Sequence, residues 1–552
     1  MCAGIPRALA HPQIDFISTF PPYLSCVKHL LNKTLTVKQA AALVILPVAI
    51  MGTIWAFTTG GPPVKPEKKI AGKNDSAIPE EATVTDTSAM GRLMAFVDSV
   101  NRSTGLFGGS WSFYLADADS GKPVCAIDID RGLVPASVMK VVTTGTALSL
   151  LGPNFHYTTT LQYDGSIEGR VLNGNIYIRG GGDPSLGAEA FGSNENKVVE
   201  EFAVAIKRLG IDSIAGCIIG DAEAFERDPV PGGWAWEDMQ SDYGAAPCGL
   251  NIRENMYDLH LTASGNSVSI RTSPVIPGMK LYNQVVHNPS VGKSYAYVAG
   301  APFQFERTVL GEVSSALDER SSIPDPALFC AQELRAALTK TYGVGVRDSA
   351  TTLRLVRLNR LKPDAKEGRK VITTLSSPAL SGLVYHTNQI SQNFYAETIL
   401  KTLGMKERGY GSTANGVNAV YTFWKSHNID LRGMCMVDGS GLSRNNTITT
   451  HQLVEMLRVY AKDSAMFPSF YRSLPVAGES GTIRKLADST LAEGNVHAKS
   501  GTMSRVRAYA GYVHTRSGKL LCFAMIGNNT QWDVMDLRDR FEHLFVLMAE
   551  LP

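Results

Sequence analysis

At 552 residues the chain is long enough for two or more hydrophobic cores, and 53 basic against 51 acidic side chains leave a net charge of only +2. The charges are interspersed rather than blocked, which excludes the basic footprint of a nucleic-acid-binding surface. Eight scattered cysteines, with no C-x-x-C pair and no ligand-like spacing to histidine, speak against a metal site and read as small buried hydrophobes, a Cys217–Cys248 disulfide staying open.

Residues 1–39 read as a cytoplasmic N-terminal segment. From Ala40 to Thr59 the chain carries no charge, long enough to cross a bilayer, so 40–59 reads as a transmembrane anchor or an export signal. The length of chain ahead of it favours an uncleaved anchor. Arg7, Lys28, Lys33 and Lys38 precede the segment while Lys65, Lys68 and Lys69 follow it, so charge bias orients it only weakly. Residues 60–87, rich in Pro, Lys, Glu and Gly, have too few large apolar side chains for a core and read as a flexible linker.

Beyond the linker, Leu93, Val97 and Val100 recur at helical spacing, and WSFYLADADSGKPVCAID gives two strands around Asp119-Ser120-Gly121. The stretch LVPASVMKVVTTGTALSLLG then predicts a helix that opens near Pro135 and stops at Gly152-Pro153. Roughly residues 168–369 mix strand-like runs (NIYIR, SIAGCIIGD, SVSIRT) with one helical run, ALFCAQELRAALTKTYG, and read as one or two mostly β modules. Helical patterning returns from Pro378 through Leu403. VRAYAGYVHTRSGKLLCFAMIGNN alternates like a hairpin turning at Arg516-Ser517-Gly518, and a helix from about Trp532 to Leu551 closes the chain.

One turn of the apolar helix carries Ser137 and Lys140. Residues three apart share a helix face, so the lysine can reach the serine hydroxyl. A hydroxyl is a poor nucleophile until a base takes its proton, and lysine serves only when burial or nearby positive charge lowers its pKa from about 10.4. The apolar neighbours Val138, Met139, Val141 and Val142 fit that need. Two further motifs follow in order: Ser391-Gln392-Asn393 just before a helix, and Lys499-Ser500-Gly501-Thr502 on a strand leading into a hairpin. The ordered set matches the signature of serine β-lactamases and penicillin-binding proteins.

From about Arg92 to the last helix the chain resembles the D-alanyl-D-alanine carboxypeptidase/endopeptidases of the penicillin-binding protein 4 type. The likeness extends to GGWAWEDMQSDYGAAP (Gly232 to Pro247), MVDGSGLSRNNTIT (Met436 to Thr449) and SLPVAGESGTIRKL (Ser473 to Leu486). The resemblance implies an α+β fold of the β-lactamase/transpeptidase type, an antiparallel sheet flanked by helices with a large, mostly β insertion. About 250 positions separate Lys140 from Ser391, more than a compact catalytic core needs between them. The expected plan is a discontinuous catalytic domain, 88–167 and 370–552, around an insertion at 168–369.

The resemblance further implies that Ser137 attacks the carbonyl of the penultimate D-alanine to form an acyl-enzyme, with Lys140 taking its proton. Ser391 would relay a proton to the departing amine, and Asn393 would bind the substrate amide. Lys499 would help keep Lys140 neutral and attract the terminal carboxylate, which Ser500 and Thr502 bind. The N–H groups of Ser137 and Thr502, beside Gly501, would form the oxyanion hole. Asp238, from the insertion, could pair with a free amino group of the stem peptide and Arg444 with a carboxylate, with Tyr243 packed beside them; a contact from Ser504 stays open. Peptidoglycan stems are the implied partners, β-lactams the covalent ligands, and no cofactor is called for. The catalytic part would then lie outside the cytoplasm, in the cell envelope or periplasm.

Ser500 stands where the family usually has threonine, keeping the hydroxyl, and Gln392 fills a variable position. A Tyr-x-Asn second motif is absent, which weighs against a β-lactamase or esterase; the other alternative is a non-catalytic peptidoglycan-binding homologue. RGGGDPSLG (Arg179 to Gly187) lacks a following G-K-[ST] and reads as a turn. Asp438-Gly439-Ser440-Gly441 does not fit G-x-S-x-G, so Ser440 reads as a turn residue shaping the cleft. His386 and His497 receive no role.

Overall fold

A computed structural model describes residues 86–359 and 368–552. The N-terminal segment, the 40–59 stretch and nearly all of the linker lie outside the described residues. Among the described residues no helix is long and apolar enough to cross a membrane.

Helix α1 (Ala89–Arg102) is capped by the Ser88 hydroxyl, which accepts from Gly91 N, and buries Leu93, Phe96, Val97 and Val100 on one face. Strands β1 (Ser110–Asp117) and β2 (Pro123–Ile127) form the first hairpin. A 3₁₀ turn, Ala136–Val138, leads into α2 (Met139–Leu151), whose residues from Met139 to Leu148 are all buried. A helix buried on every side sits inside a domain, and α2 is the central one, its polar Lys140, Thr143, Thr144 and Thr146 buried with the rest. Gly145 is part of the reason: a Cβ there would lie 2.2 Å from the Tyr460 ring.

After the insertion come α3 (Leu380–Ile390), α4 (Asn393–Arg408), α5 (Thr413–Ser426), α6 (Thr450–Lys462) and α7 (Phe467–Ser473). The chain closes with β3 (Val496–Met503), β4 (Val506–His514), β5 (Leu520–Asn528) and α8 (Val534–Ala549). The five strands make one antiparallel sheet in the order β3-β4-β5-β1-β2. Side chains alternate across it. Phe113, Leu115, Tyr509, Phe523 and Met525 pack under α1 and α8, while Tyr114, Ala116, Ala508, Ala510 and Ala524 pack against the α2 side. This is the α+β sandwich the motifs imply, with β3 at the sheet edge nearest the start of α2.

The insertion differs from expectation at both ends and in content. Thr158–Tyr163 pairs antiparallel with Lys370–Ser376 and with Ile176–Gly180, in a five-stranded sheet that also holds Ile218–Asp221 and Thr351–Thr352. The limits at 168 and 369 therefore cut through a sheet; its outgoing and returning strands are neighbours, a pairing no composition shift marks. Helix Glu195–Arg208, whose Val198, Phe202 and Ile206 share a core with Leu334 and Leu338 of Pro326–Lys340, makes the first half α/β rather than mostly β. The second half, Met256–Ser322, is all strand: two three-stranded sheets.

Candidate active site

Ser137 sits half-buried in the 3₁₀ turn, one residue past Ala136, a buried alanine held at φ +47°. A left-handed alanine costs about 1–2 kcal/mol, so the packing around it must hold it there. Gly441 supplies that packing: its own φ is +82°, and a Cβ there would lie 1.9 Å from the Ala136 carbonyl. Lys140, one turn on, is wholly buried, and its Nζ lies 3.0 Å from Ser137 Oγ, 2.6 Å from Asn393 Oδ1 and 2.8 Å from the Ser440 carbonyl. Burial pulls its pKa down to about 7, against the opposing pull of Glu397 and Asp438. The two amide oxygens can only accept, so a neutral amine must direct both N–H bonds at them. Its lone pair is left for the Ser137 hydroxyl.

The Ser440 carbonyl is placed by buried carboxylates. Glu397, four residues after Asn393 on α4, accepts from Gly439 N at 3.0 Å and Ser440 N at 2.7 Å. Asp438 accepts from Gly441 N, Ser443 N and Asn446 Nδ2 at 2.6–2.8 Å and from Trp234 Nε1 at 2.9 Å. Burial raises both carboxyl pKa values, each also feeling the other's charge or the bonds around it. The Asp438–Gly441 turn thus shapes the cleft as its sequence suggests, through the backbone of Ser440 rather than its hydroxyl.

Strand β3 brings the third motif alongside. A Cβ on Gly501 would lie 2.5 Å from the Pro135 carbonyl and 3.2 Å from Ser137 N, so only glycine lets the strand approach the nucleophile turn this closely. Lys499 is also wholly buried, its Nζ donating to Ser391 Oγ at 2.9 Å and to the Ser500 carbonyl at 2.8 Å. Burial lowers its pKa well below the usual lysine range, with Lys140 and Arg507 adding repulsion. For Lys140 itself, burial is the leading cause of neutrality. Ser391 closes α3 in the left-handed region, φ +61°, where glycine is the usual choice.

Other predicted residues have partners of their own. Ser500 Oγ meets Thr482 Oγ1 at 2.7 Å, and the Thr502 hydroxyl accepts from Arg507, the residue facing it across the β3–β4 hairpin. Arg444 donates through both terminal nitrogens to the Ser504 carbonyl at 3.2 Å, on the turn that follows the motif. From the insertion, the Tyr243 carbonyl accepts from Asn393 Nδ2 at 2.9 Å and its hydroxyl donates to Asp238 Oδ1 at 3.1 Å. Glu254, in a left-handed turn with Arg253 and Asn255, accepts from Tyr395, two residues after Asn393.

The structure therefore joins Ser137, Lys140 and Asn393 in one hydrogen-bonded cluster, Lys499 and Ser391 in a second against the same turn, and Asp238 to the first through Tyr243. Sequence reading missed Glu397, Trp234, Thr482 and Arg507 as supports. For Glu397 a signal exists, since it shares a helix face with Asn393; Arg507 follows from the tight Ser504-Arg505 turn. His497 stacks on Tyr471 with its pKa pushed down to about 4 by burial, and His386 lies 3.7 Å from Glu254. Among the described residues no group of His, Cys, Asp and Glu could hold a metal ion, and no disulfide joins Cys217 to Cys248.

Such a site, with a serine and a lysine at a helix start and a second lysine on the adjoining sheet edge, defines the serine β-lactamase/penicillin-binding class. The model of the D-Ala-D-Ala carboxypeptidase 3 (S13) family matches residues 93–551, and the chain belongs to that family and is a serine hydrolase of that kind. It is 26% identical to a D-alanyl-D-alanine carboxypeptidase of Actinomadura sp. strain R39 over 78% of this chain and 80% of the relative. It is 25% identical to the D-alanyl-D-alanine carboxypeptidase DacB of Haemophilus influenzae over 72% of this chain and 80% of the relative. Its fold is similar to the crystal structure of penicillin binding protein 4 from Haemophilus influenzae, with TM-score 0.69 and 21% identity over 79% of this chain and 95% of that one.

Proposed function

We propose that the chain removes the terminal D-alanine from peptidoglycan stem peptides through an acyl-enzyme on Ser137. The observation that carries this is the wholly buried Lys140 amine, 3.0 Å from Ser137 Oγ with both its N–H bonds claimed by carbonyl oxygens. Lys140 takes the serine proton as Oγ bonds to the carbonyl carbon of the penultimate residue. The oxyanion forms between the N–H groups of Ser137 and Thr502. Collapse breaks the peptide bond, Ser391 passing a proton to the leaving nitrogen while Lys499 holds the Ser391 hydroxyl. Water then attacks the ester, and Ser137 regains its proton.

The substrate carboxylate suits a cleft in which burial, with repulsion from Lys140 and Arg507, disfavours the charge on Lys499: an anion beside Lys499 and Arg507 restores the charge that burial removes. Asp238, held by Tyr243, would pair with an amino group on the stem, and Arg444 with a carboxylate. β-Lactams, which offer a strained acyl group and an adjacent carboxylate, would acylate the same serine. Since peptidoglycan lies outside the cytoplasmic membrane, this reading puts the described part of the chain there, with residues 40–59 as anchor or export signal.

A fluorescent penicillin should label the wild-type protein and not Ser137→Ala. Mass spectrometry of purified muropeptides should show loss of one alanine from monomers, and any splitting of cross-linked dimers would add endopeptidase action. Absence of label and of cleavage in the wild type would leave only a peptidoglycan-binding module; rapid penicillin turnover with intact muropeptides would make it a β-lactamase.

A further inference from the structure

The second half of the insertion leaves one sheet face uncovered among the described residues. In the sheet of Lys280–His287, Glu306–Val313 and Tyr295–Ala299, residues opposite in register share a face: Tyr282 with Thr308, Tyr297 with Leu310, and Val286 and Tyr295 with Glu312. Val298, Val309 and Val313 fill the core on the other side. On the first face Tyr282, Val286, Tyr295 and Tyr297 are each about half exposed. A cluster of that kind marks a binding surface more often than scattered single residues do.

Tyr297 and Leu310 also line a groove of ≈ 600 Å³ whose other side is the Trp236–Tyr243 loop. Trp236 is 56%, Tyr297 52% and Tyr243 45% exposed. Three carboxylates, Glu237, Asp242 and Glu319, line the same groove, and the guanidinium beside them, Arg320, is paired with Glu254 and Asp258. Flat aromatic rings among acceptor groups suit a ligand with apolar ring faces and donors around its edge. Acidic lining disfavours polyanions such as nucleic acid or anionic lipid. Tyr243 belongs to both places, since its ring lines the groove and its carbonyl holds Asn393 in the cleft.

We propose that this groove binds the glycan carrying the stem peptide, with N-acetylated sugar rings stacked on Trp236 and Tyr297 and their hydroxyl and amide donors on Glu237, Asp242 and Glu319. The inference rests on the stem-peptide reading above. It commits to that occupant because Tyr243 joins the two places, lining the groove while its carbonyl bonds Asn393 beside Lys140: a peptide with its end at Ser137 and its root past Tyr243 would deliver its sugar there.

The test compares a synthetic stem peptide with the same peptide carrying its disaccharide, in wild type and Tyr297→Ala, with penicillin acylation as the check on folding. The wild type should favour the sugar-bearing substrate by about tenfold in kcat/KM, and Tyr297→Ala should reduce that ratio to near one while peptide-only kinetics and acylation match the wild type. A tetramer of N-acetylglucosamine should change the tryptophan fluorescence of Ser137→Ala and not of the Ser137→Ala, Tyr297→Ala double variant. Equal ratios in both proteins overturn the proposal. So does a change in sedimentation of Tyr297→Ala with the sugar preference intact, which assigns the face to a second copy or another protein. If the wild type cleaves neither peptide yet the tetramer binds through Tyr297, the stem-peptide reading falls and the sugar site stands.

Discussion

Around Ser137 the main unit buries two lysines and two carboxylates completely, each tied to several partners; across Tyr243 the insertion exposes its tryptophan, tyrosines and acids to water. The contrast separates two jobs. Reactive groups gain from burial, because a lysine becomes a base only when its charged form is disfavoured. Recognition groups gain from exposure, because a long substrate must reach them. The halves are joined by Trp234 to Asp438, the Tyr243 carbonyl to Asn393, and Glu254 to Tyr395.

The sharpest break in this comparison is Lys140→Ala, which should slow penicillin acylation by at least about 10³-fold by removing the base beside Ser137. In the wild type, the acylation rate should rise with pH through about 7 and level off above it, because the neutral amine is the active form and its folded pKa stands near 7. The same shift has a stability sign: the unfolded chain binds the extra proton between about 7 and 10.5, so this group makes stability increase with pH across that window. A rate that falls with rising pH in stopped-flow acylation would remove Lys140 from the role.

Next in size is Ser391→Gly. Glycine accepts the left-handed backbone freely, a gain of about 1 kcal/mol that offsets the loss of the hydroxyl accepting from buried Lys499, so thermal unfolding should change little, while that same loss should cut kcat about 10²-fold. A variant that is much less stable and fully active would contradict both halves. On the insertion side, Asp238→Asn should raise KM about tenfold for amine-bearing stems, with a much smaller effect on penicillin acylation measured in parallel. Trp234→Phe is the smallest: it leaves Asp438 one donor short at a cost of about 1–2 kcal/mol in denaturant unfolding, and should slow acylation only severalfold.

Much of the site is legible in the amino-acid sequence alone. Ser137 and Lys140 are three apart on one apolar helix, so their contact follows from helix geometry. Lys499 and Ser391 are legible as motifs, but the proximity of 391 to 499 is not, since nothing local states which strand lies at the sheet edge. The insertion's limits are misplaced by composition because Thr158–Tyr163 and Lys370–Ser376 become one sheet only by pairing across some 200 residues, and the helix Glu195–Arg208 goes unread although Val198, Phe202 and Ile206 carry its period.

Local sequence determined what can be settled within a turn or a strand: the nucleophile beside its amine, the glycine at 501 that permits a close approach, and the alternation that buries both faces of the sheet. Only the tertiary structure decided that Lys140 is shut off from solvent, that Glu397 and Asp438 hold the Ser440 carbonyl against it, and that a loop from the insertion reaches Asn393. The reason is physical. Burial, and the pKa shifts and close contacts it creates, depends on which distant segments come to lie over a residue, and no window of neighbouring letters contains that information.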